Sequence, residues 1–207
     1  VTDRLANLGG KKWEVHFLAR SLVEKGRDII ELTIGEPDVP TPPELMDVAI
    51  DAMKNGRTGY SNGRGEAALL AALSIRYSQS MGRPVGTDRI LCFPGTQTAL
   101  FAVLMGIATL GDEVLVGDPM YATYEGVIAT SGATMVPVPL RAENGFRISA
   151  ADIDARITPK SRAILLNTPH NPTGAVLSGP ELEKIGTLAR QHDLWIVSDE
   201  VYDELLF

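Results

Sequence analysis

Apolar residues recur along this chain with two different periods, and the alternation of those periods lays out its elements. Residues 163–167 form a continuous apolar run ending in Asn167, too short for a helix, and read as a strand. Pro169 and Pro172 then stop regular pairing and hold Thr168 and Asn171 extended. Gly174 permits a turn that a side chain would hinder. Ser178 and Glu181 have capping-box spacing at a helix start. Leu182, Ile185, Leu188 and Ala189 follow as one apolar stripe at helical spacing. Residues 194–197 are uninterrupted apolar, as expected of a parallel strand covered on both faces. The stretch reads as one right-handed βαβ unit.

The same reading extends upstream. Val15, Leu18, Ala19, Leu22 and Val23 give a helical stripe that Gly26 can end, and residues 29–34 read as a strand. Thr41 is the expected N-cap of a second helix, with prolines in its first turn and Leu45, Val48, Ala49 and Met53 as its buried face. Lys54, Asn55 and Gly56 close it. A glycine-rich loop, residues 58–65, leads into a helix over 66–77. Residues 88–93 read as a strand. The helix expected over 99–110 is apolar nearly all round, which predicts burial, and Gly111 ends it. Residues 112–117 and 133–140 read as strands, the latter at a sheet edge because it contains Pro137 and Pro139. Residues 141–160 are a polar excursion with a short helix near 150–156. The alternation after residue 90 predicts a three-layer α/β/α fold with a mostly parallel sheet.

Composition narrows the function classes. The chain has 207 residues, 44% of them hydrophobic, with a net charge of −7. That is enough for roughly one domain with a real core. The acidic balance and the lack of a long basic cluster disfavour nucleic acid. No Cys/His cluster suggests a metal. The single cysteine, Cys92, forms no internal disulfide and reads as a small buried hydrophobe. No apolar stretch is long enough to span a bilayer, and the first twenty residues are too charged for a secretory signal. Val1 and the apolar end at Phe207 suggest the N-terminal piece of a longer protein.

The polar residues gather where ligands bind in open α/β sheets, beyond the C-terminal ends of strands. Asn171 follows one strand end; Asp199 and Tyr202 follow the next. A carboxylate ending so apolar a strand is costly to bury unpaired. It either caps the next turn, pairs with a cation, or meets a ligand. Pro94, Gly95, Thr96, Gln97 and Thr98 open a helix whose free N–H groups and positive end favour an anion, which makes this the best phosphate cradle in the chain. A plain strand-to-helix turn would explain Gly95 but not the hydroxyls. Gly63, Gly65 and Ala68 match a dinucleotide fingerprint only weakly, because no apolar strand precedes them.

The motifs NTPHNPTG (residues 167–174) and SDEVYDEL (residues 198–205), in this order and separation, resemble the class I/II aminotransferases, pyridoxal-phosphate enzymes of fold type I. The resemblance implies the following roles. Gly95, Thr96 and Gln97 hold the phosphate of pyridoxal 5'-phosphate, and Tyr121 stacks on its ring, with Tyr124 behind it. Asp199 holds the ring nitrogen protonated, while Asn171 and Tyr202 bond the phenolate oxygen. Tyr60 reaches the cofactor phosphate of the other subunit of a homodimer. Gly35, in the quartet at residues 35–38, lies against the substrate carboxylate, together with Tyr121 and Asn171. His170, beside Asn171 in the chain, reads as a residue supporting the site from behind, with no catalytic role. Residues 1–40 would be an arm and the start of a small domain, and residues 41–207 the first part of a large cofactor-binding domain.

The chemistry also needs a Schiff-base lysine, which the resemblance places beyond Phe207. Lys11, Lys12, Lys25, Lys54, Lys160 and Lys184 do not occupy its position. The 207 residues are therefore expected to be inactive alone, while the whole protein, in the cytoplasm, moves an amino group between an L-amino acid and a 2-oxo acid. Some bacterial-type aspartate enzymes carry a lysine where this chain has Gln97, which weakens an acidic-substrate reading. Three alternatives remain: another fold-type-I enzyme such as a C–S β-lyase, an aminotransferase-like regulatory domain and, resting only on the glycines, a nicotinamide dehydrogenase.

Overall fold

The structure, a computed structural model, describes residues 2–6, 8, 13–35 and 38–205. Its helices are α1 (Asp3–Ala6), α2 (Glu14–Glu24), α3 (Pro43–Lys54), α4 (Ala67–Met81), α5 (Thr96–Ile107), α6 (Tyr124–Thr130), α7 (Ala150–Asp154) and α8 (Gly179–Gln191). Its strands are β1 (Glu113–Asp118), β2 (Thr134–Pro139), β3 (Ser161–Asn167) and β4 (Trp195–Asp199). The chain divides into two compact units, residues 1–8 with 94–207 and residues 9–93.

The first unit is a four-stranded sheet in the order β2-β1-β3-β4, every neighbouring pair parallel. Successive side chains on a strand face opposite ways, and the core divides accordingly. Val114, Val116, Ala163 and Leu165 pack with Leu100 and Leu104 of α5 and Val127 and Ile128 of α6. Leu115, Ile164 and Leu166 pack on the other face with Ile153 of α7 and Ile185, Leu188 and Ala189 of α8. These are the three layers expected of the fold. From β1 the chain crosses by α6 to β2 on one side, whereas from β3 it crosses by α8 to β4 on the other. Opposite directions with helices on opposite faces keep both crossovers right-handed.

Several local expectations hold and several are corrected. The Ser178 hydroxyl caps α8 by accepting from Glu181 N–H. The reciprocal half of the box is not made, because Glu181 Oε1 accepts instead from Ala150 N–H at 2.7 Å. That bond lowers the Glu181 pKa, since a carboxylate accepting from an amide is held charged. β2 lies at the edge, as its prolines require, and runs unbroken through both. β4 is an edge strand too, with Trp195 54% and Ile196 39% exposed, so it is covered less fully than its apolar run predicts. Only one of its flanks has a pairing partner among the described residues. α5 stops at Ile107 rather than 110, and Phe101 and Met105 on its outer side are exposed, so all-round apolarity did not bring all-round burial.

In the second unit the helices form but lack the expected burial. The apolar stripes of α2 and α3 are mostly exposed, and Pro42, not Thr41, occupies the N-cap of α3. Residues 29–34 make no strand, and Ile30 and Leu32 are each 87% exposed. Residues 88–93 form the end of a short 3₁₀ turn and a stretch outside any sheet in place of a strand, with Cys92 N–H donating to the Arg64 carbonyl at 2.8 Å. The reason is common to these segments: an apolar stripe or β-prone run acquires its state from a partner surface, which the described residues of this unit do not provide. α4 runs longer than expected, to Met81, and ends on Gly82 in the left-handed conformation.

The core of the sheet should respond strongly to truncation. Ile164 is fully buried among α7, α8 and its strand neighbours. Replacing Ile164 with alanine is expected to cost about 2–5 kcal/mol, measured by denaturant unfolding.

Candidate functional site

The sheet order reverses direction between β1 and β3, which opens a crevice beyond the C-terminal strand ends. The register of β3 on β4 sets Asn167 beside Asp199 at that edge. A cleft of about 450 Å³ lies there, lined by Thr96, Gln97, Tyr121, Asn171, Asp199 and Tyr202, with Tyr124 and Asn167 beneath.

Asp199 is 6% exposed. Its Oδ2 accepts a 2.7 Å bond from the hydroxyl of Tyr124, itself 1% exposed, and its Oδ1 accepts from Val201 N–H at 3.3 Å. Among the described residues no cation pairs with it. Of the readings left open by the sequence, the ion pair is therefore absent from the described residues. Val201 N–H does serve as a turn contact, but a weak one. Burial, and secondarily the bond to Asp199, pushes the Tyr124 phenol well above its ordinary value of 10.0.

Asn167 and Asn171 tie the neighbouring loop down. Asn167 Nδ2 donates to the Asp199 carbonyl at 3.0 Å, and its Oδ1 accepts from Asn171 N–H at 2.7 Å. The Asn171 amide then donates to the Tyr202 hydroxyl at 2.9 Å. Tyr121 meets Tyr124 edge-to-face, centroids 5.7 Å apart. Gly95 caps α5 with φ +87°, a conformation that L side chains rarely adopt. No side chain caps this helix, so its first-turn N–H groups remain open at the cleft. Thr98 turns back to the Pro94 carbonyl at 3.0 Å and so does not add its hydroxyl to the cradle. Gln97 accepts from the Thr123 hydroxyl at 2.8 Å, which ties α5 to the start of α6.

The structure thus brings Thr96, Gln97, Tyr121, Asn171, Asp199 and Tyr202 to one cleft, with Gly95 at its helix end. Gly35 and Tyr60 belong to the other unit, where both are exposed. Glu36 and Pro37 of the quartet lie outside the described residues. Among the described residues no lysine lines the cleft; Lys184 pairs with Glu181 on α8. Sequence reasoning did not single out Asn167 or Thr123. Asn167 carried the same signal as Asp199, a polar residue ending an apolar run. Nothing local marked Thr123.

The donor set suits a flat, anionic, nitrogen-containing cofactor. The buried carboxylate suits a cationic ring nitrogen, the amide and phenol suit a phenolate oxygen, and the uncapped helix suits a phosphate. A family model described as aminotransferase class I and II matches residues 27–207. An arginine–pyruvate transaminase of Pseudomonas aeruginosa is 44% identical over all of this chain and 52% of its own length. An aspartate aminotransferase of Thermotoga maritima is 33% identical over 55% of its length. The crystal structure of a Thermotoga maritima aspartate aminotransferase superposes with a TM-score of 0.94 at 32% identity, over 100% of this chain and 55% of that one. The Thermus thermophilus aspartate aminotransferase with maleate gives 0.93 at 33% identity, over 100% and 55%. The chain spans about half the length of the curated relatives it matches.

The Tyr124–Asp199 bond has a testable signature. Below pH 10 the phenol is protonated whether the chain is folded or not. Above it the unfolded chain loses the proton and the folded one retains it, so stability falls as pH rises. Tyr124→Phe should destabilise the protein by about 1–3 kcal/mol at neutral pH, because Asp199 Oδ2 stays buried without its donor. It should also flatten the decline above pH 10, both read from denaturant midpoints across pH.

Proposed function

Because the chain belongs to the class I and II aminotransferase family, we propose that the whole protein moves an amino group between an L-amino acid and a 2-oxo acid, with pyridoxal 5'-phosphate held in this cleft. The carrying observation is the convergence of Asp199, Asn171 and Tyr202 with the uncapped start of α5. When bound, the cofactor supplies an electron sink for the substrate Cα.

The chain's own residues divide the work around it. Asp199 holds a proton at the ring nitrogen, because an opposite charge at close range favours the protonated ring. Tyr124 keeps that carboxylate oriented. Asn171 and Tyr202, already bonded to each other, present N–H and O–H groups to the phenolate oxygen. Tyr121 covers one face of the ring by stacking, worth about 1 kcal/mol beyond the area buried. Gly95, Thr96 and Gln97 receive the phosphate at the helix end.

Family resemblance supports the remaining assignments. Gly35 lies against the substrate carboxylate. The protein is a cytoplasmic homodimer in which Tyr60 of each subunit reaches the other's phosphate. Residues 1–40 begin the small domain and 41–207 the large one. The same resemblance places the lysine that would hold the cofactor outside these 207 residues. The names of the relatives span arginine, aspartate and aromatic amino acids. The donors to test first are therefore arginine with pyruvate, then aspartate and phenylalanine with 2-oxoglutarate.

The test is the visible absorption of the full-length protein. A cofactor band that shifts with a donor amino acid, is fixed by borohydride and accompanies formation of the new amino acid supports the reading. No band after adding pyridoxal phosphate would overturn it. Asp199→Asn should slow turnover by roughly ten- to a hundredfold, the range for losing a hydrogen bond to a charged group, measured by single-turnover kinetics.

A further inference from the structure

Asn167 is the last residue of β3 and lies in register with Asp199, the last residue of β4. Beyond it the backbone has few donors left to hold the loop to the sheet. Thr168 N–H reaches the Asp199 carbonyl at a long 3.3 Å, and His170 N–H turns away to the Ala175 carbonyl at 2.9 Å. Pro169, between them, has no N–H to give.

The Asn167 side chain takes over where the ladder stops. A carboxamide carries the donor and the acceptor of a peptide unit, and here both are used. Nδ2 donates to the Asp199 carbonyl at 3.0 Å, and Oδ1 accepts from Asn171 N–H at 2.7 Å. The partners fix the orientation of the amide, since a carbonyl only accepts and a backbone N–H only donates. Asn167 is 8% exposed, beneath the cleft, so leaving either contact unmade is costly.

One short side chain therefore spans from the backbone of Asp199 to that of Asn171. In the cleft those two residues serve different atoms of one rigid ring, the nitrogen and the phenolate oxygen. The separation of those atoms is fixed, so the separation of the protein groups has to match it. Resting on the cofactor reading of the cleft, we propose that Asn167 is a positioning residue, a two-sided clamp that sets the spacing between the Asp199 carboxylate and the Asn171 amide. A residue that only tied down its own loop would need the Asn171 contact alone.

The experiment compares Asn167→Ala, which loses both contacts, and Asn167→Asp, which at neutral pH keeps an acceptor for Asn171 and loses the donor to Asp199, with the unaltered full-length protein. Binding of pyridoxal phosphate and of inorganic phosphate is measured for each, well below its thermal midpoint. Both variants should bind pyridoxal phosphate roughly two- to tenfold more weakly, the equivalent of one neutral hydrogen bond. The absorption maximum of the bound cofactor should shift in both. Inorganic phosphate, which engages the start of α5 and no ring-facing group, should bind all three proteins alike and shows what the added charge of Asn167→Asp does by itself. In the cofactor-free proteins, amide hydrogen exchange at Asn171 should quicken in Asn167→Ala and stay slow in Asn167→Asp. Full affinity and an unshifted spectrum in Asn167→Asp would reduce Asn167 to a one-sided tether and overturn the proposal, and this variant decides the matter if Asn167→Ala does not fold. Equal losses for pyridoxal phosphate and inorganic phosphate would overturn it as well, as general damage to the cleft. Unchanged exchange at Asn171 in Asn167→Ala would refute the clamp on its own. If the unaltered protein binds inorganic phosphate but no pyridoxal phosphate, the functional reading falls and takes this role with it.

Discussion

A carboxylate buried at the mouth of a parallel sheet sets the terms for the rest of this site. Asp199 sits at the last position of β4, 6% exposed, without a cation among the described residues. Such a group is costly unless every nearby donor is aimed at it. The Tyr124 hydroxyl and Val201 N–H are so aimed, while Asn167 and Thr168 N–H bind the adjoining carbonyl. The arrangement leaves a carboxylate acceptor in a place where a bound cation would meet it with little water between.

The sheet topology delivers those donors from distant parts of the chain. β1 leads to Tyr121 and Tyr124, β3 to Asn167 and Asn171, and β4 to Asp199 and Tyr202. Since all four strands run the same way, their C-terminal ends open on one side. The change of winding between β1 and β3 leaves the crevice there unfilled by a crossover helix. α5 points its uncapped N-terminus at the same place. Rigid strands place the carboxylate and the amides, and short loops bring the aromatic rings over them.

The βαβ stretch ending at residue 199 was legible because its signals are local. Apolar runs of strand length, the Ser178 cap and the α8 stripe each depend on a few neighbouring residues. Prolines likewise put β2 at the edge. Legibility failed where a segment's state depends on a partner. Residues 29–34 and 88–93 have the composition of strands but join no sheet among the described residues, and the apolar faces of α2, α3 and α5 do not disclose what covers them. The cleft shows the same division. Gly95, Asn171, Asp199 and Tyr202 stand in recognisable motifs, whereas the Gln97–Thr123 and Tyr124–Asp199 contacts join residues that no local pattern relates.

By itself, then, the sequence determined the α/β layering, the family and the residue types at the site, because hydrophobic period, turn chemistry and motif spacing act over short stretches of chain. Only the tertiary structure decided that Tyr124 donates to a carboxylate 75 residues away, that Thr98 turns from the cradle and that Glu181 Oε1 serves Ala150 N–H instead of completing the capping box. The reason is physical. A side chain's hydrogen-bond partner is settled by strand order and register, which bring distant segments to within about 3 Å, and no count along the chain contains that distance.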